Sequence, residues 1–342
     1  MERQELVRER RTLGTTAGGG TYMITLPKGW VEDLGLKKGE ALTLVRAGAG
    51  IYLCAARGRE QPEARTRLEV EEGLRGEALA RALISRYIAG FDIIEVTGGF
   101  STGQREAVRH TAQRLIGAEI LQETAESFLI HTLRDPHVLS APQLLGYIHE
   151  NVEGMLKDAP DALLEGDLEK ARGIIQRDER VDRFFLVLSR QLYAALQDPL
   201  AEVERGISRT DFFNIHTVAH QLERVADHAV KIARAAEALI EEGRSLPQEL
   251  AEALAEAQGA SQRLLSQVMR AFVGLNGEGA HEALGMLPQV ERLVEEVNHR
   301  LRALKDPHLA YHLGIAADSI GRINNYAANI AEVALNAEAL RR

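Results

Sequence analysis

Four side chains in the stretch HTVAHQLERVADHAVKIA could do chemistry together. His216, His220, Glu223 and Asp227 recur at i, i+4, i+7 and i+11. At about 100° per residue they cover about 60° of a helix circumference, a polar stripe beside an apolar seam. The upstream run RDERVDRFF supplies two more carboxylates, Asp178 and Asp182. There the apolar positions are Ile174, Val181, Phe185 and Leu188, and Asp178 stands in the seam slot between the first two. A carboxylate in such a slot needs a partner, because an unpaired buried charge is costly. Carboxylates and imidazoles from facing helices are how bundles hold metal ions. Mixed oxygen and nitrogen donors suit a divalent transition metal, iron or zinc first, with manganese and nickel also compatible. The competing reading is an ion-pair network drawing on Arg177, Arg180, Arg183 and Arg224, and a lone bundle histidine is commonly satisfied by a carboxylate or a backbone group.

An internal repeat sharpens the question. The helix carrying the stripe has apolar residues at Ile215, Val218, Leu222, Val225, Ala229, Ile232, Ala236 and Leu239. Ninety-eight residues on, Leu313, Ala316, Ile320, Ile323, Ala327, Ile330, Ala334 and Ala337 repeat the pattern. With an offset of 116, Ile174, Val181, Phe185 and Leu188 fall on Val290, Val297, Leu301 and Leu304. The acids do not follow. Asp178 and Asp182 become Val294 and Asn298, and His216, His220, Glu223 and Asp227 become Gly314, Asp318, Gly321 and Asn325. A purely packing role gives no reason for that selective loss.

The elements that must position these residues fall into three segments. From Ser140 onward the pattern is helical, with breaks expected near Pro160–Asp167, 198–209, Gly243–Pro247, Asn276–Gly279 and Asp306–Pro307. That gives six long helices, read as two tandem three-helix bundles, 140–242 and a second, degenerate one, 246–342. Residues 67–135 read as a small α/β module: a helix from Leu74 to Ala89, a strand from Phe91 to Gly98, a helix from Ser101 to Ile116, and strands near AEILQET and SFLIHTL. Ser101 and Gln104 have capping-box spacing. RGREQPEART, 57–66, reads as a linker. Residues 1–60 read as a small β-rich domain. Strand TYMITLP leads to a short helix with Pro27 at its start and Gly35 at its stop, and EALTLV and IYLCAA form a hairpin through RAGAG. So small a unit calls for a second copy or a neighbouring domain. The fold class is mainly α.

Composition bounds the function. The 342 residues carry a net charge of −9, divided as +3 over residues 1–60 and −12 over the rest. The acidic body argues against bulk nucleic-acid binding by the helical half. One cysteine, Cys54, excludes an intrachain disulfide framework and fits a reducing compartment. MERQELVRERR has no apolar signal region, and no apolar run approaches a bilayer span. A cytoplasmic protein is expected. The glycines of TTAGGGT lack a following Lys-Ser/Thr and read as a turn. No nucleophile motif is visible, so no catalytic residue is expected.

RDERVD together with LERVADHAVKIA resembles the PhoU family of phosphate-uptake regulators over roughly 140–342. In that family each bundle carries two acid-x-x-x-Asp motifs that bind iron or zinc, matched here by Asp178/Asp182 and Glu223/Asp227. The second bundle departs at most of these positions, which puts a second metal cluster in doubt. The resemblance implies a non-enzymatic negative regulator that contacts the phosphate ABC transporter and its sensor kinase. TYMITLPKGWVEDLGLKKGEALTLV is similar to swapped-hairpin domains of the SpoVT/AbrB type, which implies a homodimer. The whole architecture looks like archaeal PhoU-like proteins. Many such heads bind operator DNA through a basic face, for which Arg8, Arg10, Arg11 and Lys28 are the candidates. Glu2, Glu5 and Glu9 dilute that field, and a pure dimerisation module is the alternative. Two other functions stay open: an AbrB-type transcriptional regulator or antitoxin whose helical part only oligomerises, and a metal-dependent hydrolase or oxidase.

Overall fold

The computed structural model describes residues 8–341 except 17, 19, 48–49, 56–62, 134–138, 199–201 and 203–205. Glu2 and Glu5, the centre of the expected RAGAG connection and most of the expected linker lie outside the described residues. The chain divides into two compact units, Met1–Gln61 and Pro62–Arg342, each described by itself.

In the first unit, strands β1 (Gly14–Thr15) and β2 (Tyr22–Met23) pair antiparallel. Helix α1 (Lys28–Asp33) starts on Pro27, whose missing N–H costs nothing at a helix start. It ends before Gly35 at φ +61, the left-handed stop expected there. Strands β3 (Leu42–Ala47) and β4 (Gly50–Ala55) form a hairpin in which Val45 faces Tyr52. The expected long strand 21–27 is ordered as a ladder only at its start. Residues 8–13 form no strand. Among the described residues of this unit only Pro27 is buried. Tyr22, Ile24, Leu44 and Ile51 are exposed.

The second unit begins with strand β5 (Arg65–Glu69), helix α2 (Gly76–Ile88), strand β6 (Ile93–Thr97), helix α3 (Thr102–Arg114) and strands β7 (Ala118–Glu123) and β8 (Ser127–Thr132). The sheet order is β5-β6-β8-β7, with β5 and β6 parallel and the other pairs antiparallel. Leu68, Ile94, Val96, Phe128 and Ile130 pack with Leu79, Leu83 and Val108 of the two helices. The Ser101–Gln104 capping box forms at the start of α3. Strand β5 corrects the linker reading: its charged residues Arg65, Arg67 and Glu69 alternate with Thr66 and the buried Leu68, and the charges masked a period of two. Gly98 follows β6 at φ +149, where an added Cβ would lie 2.6 Å from the Val70 carbonyl oxygen.

Six long helices follow: α4 (Ala141–Leu164), α5 (Leu168–Gln197), α6 (Arg209–Glu241), α7 (Gln248–Gly274), α8 (Gly277–Leu301) and α9 (Pro307–Ala339). Asp167, Ser208, Asn276 and Asp306 cap α5, α6, α8 and α9 with side-chain oxygens. Pro160 does not break α4, which runs four residues further. Proline leaves the carbonyl four residues back without its donor, and here the buried Gln258 of α7 donates to that carbonyl, Leu156 O, at 3.4 Å.

The repeat register holds in space. All eight seam residues of α6 and their eight counterparts on α9 are buried. One continuous apolar core runs through both bundles. Helices α6 and α9 cross antiparallel, since Gln221 bonds Asn329 at 3.0 Å and Asp211 pairs with Arg341 at 3.5 Å. Among the described residues no helix is long and apolar enough to cross a membrane.

Candidate metal centre

Helices α5 and α6 pack side by side, and their registers bring the six predicted residues into one neighbourhood of two tiers. In the upper tier His216 and His220 lie against the Phe185 ring, at centroid separations of 5.2 and 5.6 Å. His216 Nε2 also shares a 2.9 Å hydrogen bond with Ser189 Oγ. Burial lowers the affinity of both imidazoles for a proton, helped at His216 by His220 and at His220 by Arg224. Both shifts favour the neutral imidazole, the form that ligates metals.

The lower tier is the carboxylates. Burial, then the charges of Asp182 and Asp227, pushes Asp178 up to about 7. Burial, then Asp227, pushes Glu223 up to about 7. Asp182 is also raised by burial, which outweighs its arginine partner. Asp178 Oδ1 and Glu223 Oε2 are buried with no hydrogen-bond partner. Such oxygens close to like charges hold a proton at neutral pH or call for a cation.

The ion-pair reading holds for part of this set, through Arg224 beside Glu223 and through an arginine outside the four expected. Arg177 is bonded to Asp158 of α4 instead. Arg224 Nε stands 3.6 Å from Glu223 Oε2, beyond hydrogen-bond distance. A cation hydrogen-bonded to the cluster is Arg114, at the end of α3, whose Nη2 donates to Asp182 Oδ2 at 2.6 Å. It lies 68 residues upstream in a different layer, and no local pattern in the sequence marks it.

The donor set suits a divalent cation in kind: two orphaned carboxylate oxygens, two further acids and two neutral imidazoles. The arrangement is not a closed cage. Among the described residues no group of three His, Cys, Asp or Glu side chains is disposed to hold an ion. Asp182 is hydrogen-bonded to Arg114, and His216 Nε2 to Ser189.

The second bundle supplies the matching control. A Cβ added to Gly321, the counterpart of Glu223, would lie 3.7 Å from Val294 Cγ1, the counterpart of Asp178. The space that holds charge in the first bundle is closed by a methyl group in the second. In the head, Arg11 pairs with Glu9, and Lys28 lies 3.5 Å from Glu32, so two of the four predicted DNA-binding residues have acidic partners.

A second contact ties the α/β module to α5. Arg190 is 1% exposed. Its guanidinium donates to the carbonyls of Tyr87, Phe91 and Leu133 and to Thr132 Oγ1. It also lies over the Tyr87 ring, 4.9 Å from the centroid.

Comparison with known proteins follows this division. Residues 147–236 match the family described as PhoU domain, and residues 15–61 match that described as antidote-toxin recognition MazE, bacterial antitoxin. The phosphate-specific transport system accessory protein PhoU homologs of two Caulobacter vibrioides strains are each 38% identical over 84 residues. That match takes in 24% of this chain and 33% of each relative, so the chain spans about a third of the length of these relatives. The crystal structure of PhoU from Pseudomonas aeruginosa superimposes with a TM-score of 0.52 at 21% identity, covering 59% of this chain and 96% of that one. The helical body therefore has a PhoU-like fold, with a stretch of its first bundle similar to the PhoU domain and a MazE-like stretch in the head.

Proposed function

We propose that this protein is a PhoU-like, metal-binding regulator of phosphate uptake and phosphate signalling. The observation that carries the reading is the coincidence of the acidic cluster with the stretch that matches the PhoU domain. Asp178, Asp182, Glu223 and Asp227 would hold an iron or zinc ion, with His216 and His220 as the nitrogen donors. A bound cation would neutralise the repelling carboxylates and stiffen the α5–α6 pair, presenting a fixed surface to a transporter or sensor kinase. The role is regulatory and not enzymatic, and the setting cytoplasmic.

The head would dimerise. Its apolar residues are exposed and its described part has almost no interior, which supports a homodimer. Operator binding through Arg8, Arg10, Arg11 and Lys28 is the further step. The MazE match favours a second reading, a DNA-binding regulator or antitoxin whose helical body only oligomerises.

Elemental analysis of untagged protein, followed by titration with zinc or manganese, tests the metal. Saturable uptake that falls at least a hundredfold in Asp178→Asn/Glu223→Gln supports it, and uptake unaffected by that pair rejects it. Gel shifts on phosphate-transport promoter fragments test the head: affinity equal to that for random DNA removes operator recognition.

A further inference from the structure

The four-stranded sheet ends in two unlike edges. Strand β7 carries a register shift between Ile120 and Gln122, and its Glu123 is clasped by Arg105 and Arg109. A bulge of this kind turns an edge away from further pairing. Strand β5 is the other edge, and among the described residues its one strand neighbour is β6, in regular register. From Arg65 to Glu69 it has no bulge, no proline and no lysine.

The backbone shows which polar groups β5 leaves over. The Ala64 carbonyl accepts from the Ile93 N–H, and the Val70 N–H donates to the Thr97 carbonyl. These groups alternate sides along a strand, so the even-numbered residues from 64 to 70 face β6. The N–H and C=O groups of Arg65, Arg67 and Glu69 therefore point off the open edge.

The side chains follow the same alternation. RTRLEVE, Arg65 to Glu71, puts two bases and then two acids at the odd positions, all exposed. Thr66, Leu68 and Val70 take the even positions, and Leu68 and Val70 are buried in the core shared with α2 and α3. The order of charges is self-complementary. With a second copy laid antiparallel about Leu68, Arg67 meets Glu69 and Arg65 meets Glu71, each twice. Leu68 then meets its own counterpart, and Thr66 meets Val70. The Arg67–Glu69 pairs fall where both backbone hydrogen bonds are exchanged, and the Leu68 pair falls in the closer, non-bonded position. Other registers fail on charge. Centring on Arg67 or Glu69 sets like charges at the axis, and centring on Thr66 sets Arg65 against Arg67; such pairs are destabilising. Arg67 is held ready on the outer face of the sheet by Glu95, at 3.1 and 3.2 Å. Arg65 pairs along its own chain with Glu63 at 2.8 Å, and that pair is exposed and free to exchange.

We propose that β5 is a docking edge for a second copy of this chain, which joins two sheets into one across a two-fold axis at Leu68. The charge order selects that occupant, because this chain brings its own complement. Backbone hydrogen bonds supply the attraction, as in other strand additions, and the charges fix the register. The proposal rests on neither the metal reading nor dimerisation of the head. A β5 whose charges merely face water would leave its odd-numbered amides open to solvent, and that difference is measurable.

The test is amide hydrogen exchange of the full chain at single-residue resolution, read beside sedimentation equilibrium. In the parent, the amides of Arg67 and Glu69 are expected to be protected, as those of Thr66 and Leu68 are by β6. Glu69→Arg opposes like charges across the axis. It is expected to speed exchange at Arg67 about tenfold or more, while Thr66 and Leu68 stay protected and report an intact sheet. Glu69→Asp keeps the charge and is expected to behave as the parent. A freely exchanging Arg67 amide in the parent overturns the proposal, and so does protection that survives Glu69→Arg. Sedimentation separates this outcome from that of the head. A dimer whose Arg67 amide exchanges freely leaves the head reading standing, whereas a dimer that Glu69→Arg turns into a monomer puts the self-association in β5. A parent protein that sediments as a monomer removes both.

Discussion

The two bundles share one scaffold and differ in what they place inside it. Their seams agree at every one of the eight positions compared on α6 and α9, and all sixteen residues are buried. Yet Asp178 and Glu223 face like charges with buried oxygens unsatisfied, where the second bundle has Val294 beside Gly321. The lesson is that the acids are not needed to build the bundle. They are a burden that the first copy carries and the second lacks.

Substitutions can break or sharpen this contrast. The largest effects should be equal in the two halves: Leu222→Ala and Ile320→Ala should each cost about 3–4 kcal/mol in denaturant unfolding, because both leave cavities in the shared core. A marked inequality would mean the scaffolds are not equivalent. Arg190→Ala should cost about 3 kcal/mol, since it strips donors from several buried carbonyls. That loss should also speed exchange in the α/β module, which packs against α5 of the first bundle.

Next come the acids themselves. Asp178→Asn should stabilise the metal-free protein by about 1–2 kcal/mol, while the reciprocal Val294→Asp should destabilise it by about as much or more. The pH dependence has a definite sign. Asp178 and Glu223 ionise near 4 when unfolded and near 7 when folded, so between those values the folded state binds more protons. Stability of the metal-free protein should therefore fall as pH rises from about 4 to 7 and level off above. Thermal melts of the parent and of Asp178→Asn/Glu223→Gln should show the slope in the first and its near-absence in the second. The smallest effect is expected at the bundle junction: Gln258→Leu should change stability by about 1 kcal/mol, by leaving Leu156 O without a donor beside Pro160.

Much of this was legible in the residues. The alternating three-four spacing marked both seams, because a buried helix face must repeat at the helical period. The same register singled out Asp178 as misplaced, and its environment explains why. Other features were hidden for physical reasons. Strand β5 was obscured because its exposed face is charged, and Pro160 was read as a stop because its compensation lies 98 residues away in Gln258. Arg114 escaped notice for a similar reason. Its significance comes from a contact across layers, and neither helix that it joins carries a local sign of the other.

The head has a consequence of its own. A segment whose described part hides a single proline has almost no hydrophobic gain to set against the entropy of ordering its chain. If a second head supplies its folding free energy, as proposed, the fraction of heads that are structured tracks how crowded the chains are. On that proposal, dilution is expected to loosen the head before it touches the helical body.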